Sequence, residues 1–356
     1  PDWTARTWKK GSLEVVDGVP ILRLEGTPEE MAEQHARLLG QEARALAESY
    51  LPAFVGGKKE LEKARARARE LFWPHLTDSE KAEVRVFARE SGIDEKDVLL
   101  AQAFPDLYRA WGCSTLAAVK EGAAFGPLLA RNLDFVSMGF IQDYSCVVVA
   151  KPAGKKAYVS IAWPGILGVL SAQNDSVALS VMVVHGDRGC EAGVPFELAF
   201  RRAIETCSTN DEVKACLEKT RLTVANNLMV VDAKGDASVY ELIPGLGDVV
   251  ARRPDAKGHL ASTNHFQSRS LKEARASLTY LSSARRLEAV EKTCAREPKV
   301  GLDTAKAALR ASAPGRINVQ SMIFEPSKGV VHVAFGKPPA AERKFVRLDR
   351  ATLLGR

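Results

Sequence analysis

Residues 109–135 carry the kinds of side chain that acyl-transfer chemistry uses, within an otherwise apolar stretch, RAWGCSTLAAVKEGAAFGPLLARNLDF. A strand-like run begins at Gly112 and Cys113, and the run that follows a glycine-rich turn ends with Arg131 and Asp134. A core strand has no need of a cysteine at its start, or of opposite charges at the end of its partner. We therefore expect a catalytic site where the two runs meet.

Cys113 would need a base within hydrogen-bond reach, because the thiolate and not the thiol is the nucleophile. Of the six histidines, His185 and His265 are the best placed, and neither lies in a cysteine-protease signature. Cleavage after Gly112 would supply a different base, the new α-amine, whose reference pKa of about 7.7–8.0 lies just below the ~8.5 of a thiol. Glycine at this position also tolerates the strained backbone that an N→S acyl shift requires.

The length and composition are those of a soluble globular protein with one large or two medium domains. The chain has 356 residues, of which 46% are hydrophobic and 26% charged. No apolar run approaches the ~18–20 residues of a membrane span. The chain begins at Pro1, which fits a removed signal peptide and a shortened N-terminus equally well. We expect a soluble protein, either cytoplasmic or exported with its signal peptide removed.

The net charge of +6 does not by itself predict a nucleic-acid partner. The densest basic run, at 58–70, interleaves Lys and Arg with Glu at helical spacing, which is typical of a solvated helix face. No pattern of aromatic and basic residues accompanies it, so we expect no nucleic-acid binding. The six cysteines form no C-x-x-C pair, and no histidine stands at zinc-finger spacing from them, so we expect no metal.

The chain changes its periodicity near residue 112. Residues 27–107 read as helical: the motifs TPEE at 27–30 and TDSE at 77–80 are capping boxes, and Gly92 is placed to end a helix. Strand patterns then dominate, in the segments CSTLAAV, YSCVVVAK, AYVSIAW, VALSVMVV, LMVVD, SVYELI, VVHVAFG and KFVRLD. Helical patterns return between them at about 195–206, 209–219, 271–293 and 302–311. This order predicts an α+β domain in which helices cover sheets.

A series of motifs resembles the acyl-coenzyme A:6-aminopenicillanic acid acyltransferase family, over about residues 20–350. In chain order the motifs are GCSTLAAV…GPLLARNLDF, WPGILGVLSAQNDSVALSV, VANNLMVVDAKGDASVYEL, ASTNHF, SSARRLEAV and VQSMIFEPSKGVVHVAFGKPP. The family is related to the choloylglycine hydrolases and penicillin V acylases, which are N-terminal-nucleophile (Ntn) hydrolases. The resemblance implies a four-layered αββα core, with residues 1–112 as a helical N-terminal segment and residues 113–356 as the catalytic domain.

The resemblance also implies roles for individual residues. Cys113 would be the nucleophile, freed when the precursor cleaves itself after Gly112. Asp134 would hold the free α-amine, and Arg131 would support the thiolate. The charges fit these roles, because a carboxylate stabilises an ammonium group and a guanidinium stabilises an anion. The alternative for this pair is an ion pair that stabilises the turn between two strand ends.

The remaining implied residues bind the oxyanion or support the site. Asn264, in STNHF, matches an oxyanion-hole asparagine, and the second donor would be a backbone N–H near Val184 or His185. Arg285, in SSARRL, is taken as a distal supporting arginine, although Arg286 beside it leaves the register open.

Two further residues are candidates for the substrate pocket. Asn174 lies at 172–178, where the family has a glycine-containing segment and this chain has none, so a different substrate preference is expected. His265 could shape the pocket or be a buried, hydrogen-bonded histidine. Asn226 and Asn227 are expected to serve hydrogen bonds at a turn or strand end.

The predicted function is that of a self-processing cysteine amidohydrolase that cleaves an N-acyl bond through a thioester, without metal or organic cofactor. Its partners would be a small-molecule amide substrate and its own fragments, 1–112 and 113–356, as a heterodimer made from a zymogen. A homo-oligomer stays open. The alternatives are an acyltransferase that passes the acyl group to an amine, an uncleaved Cys-His hydrolase that uses His185 or His265, and a catalytically silent amide-binding protein.

Overall fold

The computed structural model describes residues 1–109, 111–185, 189–245, 249–268 and 282–354. The strands of these ranges are β1 (Arg6–Trp8), β2 (Gly11–Val16), β3 (Val19–Gly26), β4 (Gly112–Ala118), β5 (Leu128–Asp134), β6 (Cys146–Pro152), β7 (Tyr158–Ala162), β8 (Ser171–Asn174), β9 (Val177–Val183), β10 (Asn226–Asp232), β11 (Ala237–Leu242), β12 (Val249–Arg252), β13 (His259–Ser262), β14 (Asn318–Glu325), β15 (Val330–Ala334) and β16 (Val346–Leu348). The α-helices are α1 (Pro28–Ala45), α2 (Leu51–Val55), α3 (Lys58–Leu71), α4 (Asp78–Ser91), α5 (Glu95–Leu107), α6 (Phe196–Thr206), α7 (Asn210–Glu218), α8 (Ser283–Cys294), α9 (Leu302–Ser312) and α10 (Arg350–Leu354). A π-helical turn, Leu46–Tyr50, joins α1 to α2.

The strands form two sheets that pack face to face. The first, sheet A, has ten strands in the order β1-β2-β3-β6-β7-β8-β9-β10-β11-β12, and the second, sheet B, has six in the order β13-β4-β5-β14-β15-β16. The sheets contact each other through β4 and β5 on one side and β9 and β10 on the other. Helices α6 and α7 cover the outer face of sheet A, and α8 and α9 cover that of sheet B. The predicted α+β fold and its αββα layering are confirmed.

The N-terminal segment is only partly helical. Both predicted capping boxes are present, at Thr27 and Thr77, and Gly92 ends α4 in a left-handed conformation. Residues 6–26, however, form three strands, and the last of them pairs in parallel with β6. The prediction of a helical segment over the whole of 1–112 is therefore wrong for its first quarter. The alternation in GSLEVV and the short apolar run in VPILRL favour strands, and both strands contact α1.

The second half follows the predicted order of elements closely. Each predicted strand segment contains an observed strand, and the helices expected at 195–206, 209–219 and 302–311 agree with α6, α7 and α9 within a residue or two. The helix expected at 271–293 is observed from Ser283. The part of that prediction before residue 282 lies outside the described residues.

Candidate active site

Cys113 and Arg131 lie on neighbouring strands and on the same face of sheet B. In the antiparallel pair of β4 and β5, Cys113 is opposite Leu133 and Thr115 is opposite Arg131, so the Cys113 and Arg131 side chains are diagonal neighbours. Nη2 of Arg131 donates to the Cys113 Sγ over 3.2 Å, and its Nη1 donates to the Ser171 hydroxyl over 2.6 Å. Ser171 belongs to sheet A, so this arginine lies between the two sheets.

Asp134 lies on the opposite face of the same strand. Side chains alternate along a strand, so residues three positions apart point to opposite faces, and Asp134 points towards α8 and α9. Its Oδ1 accepts a hydrogen bond from Nδ2 of Asn318 over 3.0 Å, and its Oδ2 lies 3.7 Å from Nη1 of Arg286. Among the described residues, Arg286 and not Arg131 is the ion-pair partner of Asp134. The alternative of a turn-stabilising pair between Arg131 and Asp134 is therefore wrong.

The arginine of α8 that reaches the site is Arg286. Its guanidinium donates to the carbonyl oxygen of Cys113, to the hydroxyl of Ser114 over 3.0 Å and to Oδ1 of Asn264 over 2.7 Å. Arg285 is exposed on the other side of the helix. The assignment to Arg285 is therefore wrong by one residue, because Arg286 faces sheet B and Arg285, one position earlier on the helix, is exposed.

Asn264 binds the backbone of the reactive strand. Its Oδ1 accepts from the N–H of Cys113 over 2.8 Å as well as from Arg286, and its Nδ2 donates to the carbonyl oxygen of Val183 over 2.7 Å. The N–H of Cys113 and the guanidinium of Arg286 need an acceptor, and the carbonyl of Val183 needs a donor. Only one of the two flipped orientations of the Asn264 amide meets all three needs. Asn264 therefore joins β4, β9 and α8 at the peptide bond between Gly112 and Cys113.

A buried hydrogen-bond network holds the loop that carries Asn264. Nδ2 of Asn227 donates to the carbonyl oxygens of Thr263 and His265, so the expected strand-end role of this asparagine is confirmed. The Ser283 hydroxyl accepts from the N–H of Asn264 over 2.9 Å and lies 2.8 Å from Nδ1 of His265. Burial lowers the pKa of His265 to about 4, with further lowering by nearby arginines. His265 is thus a neutral, hydrogen-bonded residue of the supporting loop.

The two sequence candidates for a backbone oxyanion donor differ in their surroundings. The N–H of Val184 donates to the carbonyl oxygen of Ala225 over 3.1 Å, so this group is already used within sheet A. His185 follows β9 directly and is half-buried. Burial, with a smaller effect of Arg109, lowers the pKa of the His185 imidazole to about 4.

Asn174 lies away from the reactive strand. It ends β8, three residues beyond Ser171, which corresponds to about 10 Å along a strand. Its Nδ2 donates to two carbonyl oxygens at the end of α6, and its Oδ1 accepts from the N–H groups of Ser176 and Val177. The structure therefore places Asn174 as an anchor of the β8–β9 turn and not beside Cys113.

Burial dominates the protonation of the Cys113 thiol and the Asp134 carboxyl group. It raises the pKa of the Cys113 thiol, an effect that Arg131 partly offsets and Asp134 strengthens. It also raises the pKa of Asp134 from 3.8 to about 7, although Arg286, Asn318 and Arg131 all act in the opposite direction. The uncleaved site therefore holds a neutral thiol beside a guanidinium that would stabilise its anion.

An apolar cavity adjoins the site. Trp111 and Phe135, which flank the reactive ends of β4 and β5, form one wall, and helices α1, α2 and α5 with the π-helical turn form much of the rest. Phe135 contacts Trp111, Trp163 and Tyr50 at ring-centroid distances of 5.0, 5.4 and 5.9 Å. The reactive strand thus opens on one side towards a space lined by hydrocarbon and aromatic rings.

The described residues contain no cluster of three or more His, Cys, Asp or Glu side chains that could hold a metal ion. None of the helices in those residues has the length and hydropathy of a membrane span.

A model of the family described as acyl-coenzyme A:6-aminopenicillanic acid acyl-transferase matches residues 120–308, which is just over half of the chain. The chain belongs to this family. Arg131, Asp134, Asn264 and Arg286 lie inside the matched region, and Cys113 lies seven residues before it. The family takes its description from an acyl-transfer reaction.

Three similar proteins share 20% sequence identity or less with this chain. A protein of Archaeoglobus fulgidus described as uncharacterized is 20% identical over 251 residues, which are 62% of this chain and 42% of that protein. Among solved structures, the Caenorhabditis elegans ortholog of N-acylethanolamine-hydrolyzing acid amidase is 15% identical, with a TM-score of 0.48, over 65% of this chain and 96% of its own. A variant of the conjugated bile acid hydrolase from Clostridium perfringens is 12% identical, with a TM-score of 0.46, over 67% of this chain and 92% of its own.

Proposed function

We propose that the protein is a self-processing cysteine amidohydrolase whose nucleophile is Cys113. One observation carries the proposal: four buried groups surround Cys113 and the residue before it, Gly112. Arg131 contacts the sulfur, while Asn264 and Arg286 bind the N–H and the carbonyl oxygen of the same cysteine. Asp134, the fourth, is opposite Gly112 in the strand pairing. A purely structural cysteine in a core strand would have no use for such surroundings.

Self-cleavage would begin with attack of the Cys113 sulfur on the carbonyl carbon of Gly112. The carbon–nitrogen bond breaks, a thioester forms, and the nitrogen takes up the proton that the thiol loses. Water then hydrolyses the thioester, which leaves a carboxylate on Gly112, and a thiol and a free α-amine on Cys113. The thiol of Cys113 is then available as the nucleophile and its α-amine as the base.

In turnover the released groups would act on an external amide. The α-amine takes the proton of the thiol, and the sulfur attacks the substrate carbonyl. The α-ammonium then returns the proton to the substrate nitrogen, which leaves as an amine, and the acyl group stays on the sulfur as a thioester that water hydrolyses to the acid. Asp134 would orient the resulting ammonium, since no hydrogen bond from the described residues reaches its buried Oδ2. Asn264 would donate to the oxyanion, with the backbone N–H of His185 as the second donor.

The contacts between the two fragments support a heterodimer that persists after cleavage. Strand β3 pairs with β6 over six residue pairs, so residues before and after Cys113 share sheet A. Arg201 of α6 forms two hydrogen bonds of 2.7 Å to the carboxylate of Glu83 in α4, and both side chains are buried. Separation of the fragments would break the sheet and leave the buried Glu83 carboxylate without Arg201, which is costly.

The cavity beside Trp111 supports an apolar acyl group as the substrate moiety that the enzyme retains. Its walls come from both fragments, so it would be complete only in the heterodimer. We favour hydrolysis over transfer to an amine, because hydrolysis needs no second binding site. A Cys-His mechanism is less well supported, because the described contact of the Cys113 sulfur is with Arg131 and Nδ1 of His265 faces Ser283.

The proposal is tested by mass measurement of the intact protein and of two variants at one position. The parent should yield fragments 1–112 and 113–356, the second beginning with an unblocked Cys113. Cys113→Ala should remain full-length, inactive and folded, since alanine fits a strand that is buried throughout. Cys113→Ser should cleave slowly and turn over amides far more slowly than the parent, because a hydroxyl is the poorer nucleophile.

Two results would contradict the proposal. One is a parent that hydrolyses amides while its chain remains uncut. The other is cleavage after Gly112 in the Cys113→Ala variant, since no sulfur would then be present to accept the acyl group.

A further inference from the structure

Two acidic side chains, Asp97 and Glu197, line the otherwise apolar cavity, and they differ in their hydrogen bonds to the described residues. Nε of Arg65 donates to Oδ1 of Asp97 over 2.7 Å, and its Nη2 donates to Oδ2. Glu197 is 1% exposed, and no donor among the described residues contacts its Oε2. An unpartnered buried carboxyl group is costly, so its position in a cavity wall calls for an explanation.

The helix that carries Glu197 does not need this carboxylate. Glu197 lies in the first turn of α6, where an acidic side chain often binds the free N–H groups of the helix. Here Asp106 takes that role, because its Oδ1 accepts from the N–H of Phe196 over 3.2 Å and from the hydroxyl of Thr223. Gly168 packs so closely on Glu197 that a Cβ at position 168 would lie 2.4 Å from the glutamate Cβ. The fold thus makes room for Glu197, and the described residues provide no hydrogen bond to its Oε2.

The electrostatic surroundings of Glu197 suit a cation more than an anion. The described cavity wall contains no basic side chain, and Asp106 is a second buried acid close by. Burial raises the pKa of Glu197 well above its ordinary value, Asp106 raises it further, and Arg131 acts against both. A group that both donates hydrogen bonds and carries positive charge would satisfy the carboxylate.

We propose that Glu197 is a specificity-determining residue that binds an amino group on the acyl part of the substrate. The proposal rests on the proposed function, because it takes the cavity as the acyl site of Cys113. The preferred substrates would then be amides of apolar acyl groups that carry an amine, and a purely hydrocarbon acyl group of equal size would be disfavoured. A site built around a buried polar group rejects ligands that leave that group unpaired.

The experiment measures binding, not turnover, in the full-length Cys113→Ala protein. n-Hexylammonium chloride and 1-hexanol are titrated by calorimetry into this protein and into its Glu197→Gln and Asp97→Asn derivatives. Hexylammonium should bind the Glu197→Gln protein about 100-fold more weakly than the protein with Glu197, the usual cost of breaking a buried ion pair. Hexanol should bind both alike, which also shows that the cavity is intact. Asp97→Asn should leave hexylammonium binding unchanged, since Arg65 already occupies that acid.

The proposal is overturned if hexylammonium binds no more tightly than hexanol, or if Glu197→Gln leaves its affinity unchanged. These outcomes are independent of self-cleavage in the parent. A parent that cleaves but shows no preference for the amine would refute this inference alone. A parent that never cleaves, with amine binding that depends on Glu197, would refute the proposed function alone.

Discussion

The two faces of strand β5 meet the reactive cysteine in different ways. On the inner face, between the sheets, Arg131 contacts the Cys113 sulfur and the Ser171 hydroxyl. On the outer face, beneath α8, Asp134 contacts Arg286 and Asn318. The inner face therefore acts on the cysteine side chain, whereas the outer face is linked to the main chain of Cys113 through Arg286.

The difference shows how the short segment from Arg131 to Asp134 can contact the Cys113 sulfur on one face and Arg286 on the other. A spacing of three residues in a strand puts the arginine and the aspartate on opposite faces, so they do not neutralise each other. Each face then recruits partners from a different layer, sheet A for the inner face and α8 for the outer one. We expect substitutions on the two faces to affect separable steps.

The largest effect is expected on the inner face, from Arg131→Gln. Loss of the guanidinium removes the group that favours the thiolate, and a neighbouring opposite charge shifts a pKa by about 1–3 units. The rate of self-cleavage at neutral pH should therefore fall by about 10–1000-fold, and its pH profile should move upward by a corresponding amount. Gel analysis of cleavage from pH 6 to pH 10 measures both changes. Arg131→Lys, which keeps the charge, should shift the profile less, and an unchanged profile for Arg131→Gln would show that Arg131 does not act on the sulfur.

A smaller effect is expected on the outer face, from Arg286→Ala. This change removes the donors to the Cys113 carbonyl and to Asn264, so self-cleavage should slow by about 100-fold, the loss typical of one electrostatic donor. The pH midpoint of cleavage should move less than in Arg131→Gln. Arg285→Ala is the matched control, because Arg285 is the adjacent residue of the same helix and is exposed. Its rate of self-cleavage should stay within about twofold of the parent's, since most surface substitutions have small effects. Equal losses in the two variants would refute the assignment to Arg286.

The smallest effect concerns stability and sharpens the description of the outer face. Asp134 has a pKa of about 7 in the folded chain against an ordinary value of 3.8, so between these pH values the folded chain holds a proton that the unfolded chain has lost. The contribution of Asp134 to the free energy of unfolding therefore falls as the pH rises from 3.8 to about 7. An asparagine at this position cannot titrate. We therefore compare Cys113→Ala with the Cys113→Ala/Asp134→Asn double variant, both uncleaved. The free energy of unfolding of the double variant minus that of Cys113→Ala should be larger at pH 7 than at pH 4.

Urea unfolding at the two pH values measures this difference, and Asp303→Asn, at a fully exposed position, is the control. A constant difference between Asp134→Asn and its background at both pH values would mean that burial does not govern the protonation of Asp134.

Local sequence patterns predicted much of the fold and the centre of the candidate site. The capping boxes at Thr27 and Thr77 and the strand patterns after residue 112 depend on neighbours in the chain, and the structure has them where they were expected. Arg131 lies beside Cys113 because strand pairing is itself a nearly local property of a hairpin. Asn227 was likewise recognised as a residue of a strand end.

Other features depended on contacts between distant segments. The first three strands were missed because short strands flanking a long helical region give a weak signal, and β3 pairs with β6 more than a hundred residues away. Ser283 and Arg286 lie one helical turn apart on the first turns of α8, a spacing that could have indicated a shared face. Asn318 and Ser171 are ordinary polar residues in strands and gave no signal.

The sequence by itself determined the α+β order of elements after residue 112, the cysteine after a glycine, and the arginine and aspartate on opposite faces of one strand. These properties follow from hydrophobic periodicity and from the alternation of side chains, which act over a few residues. Only the tertiary structure decided that Arg286 and not Arg285 reaches Cys113, and that Asn174 anchors a turn. It also decided that Glu197 lines a cavity where no donor of the described residues contacts its Oε2. The reason is that burial and desolvation depend on which layers pack together, and no local pattern records that.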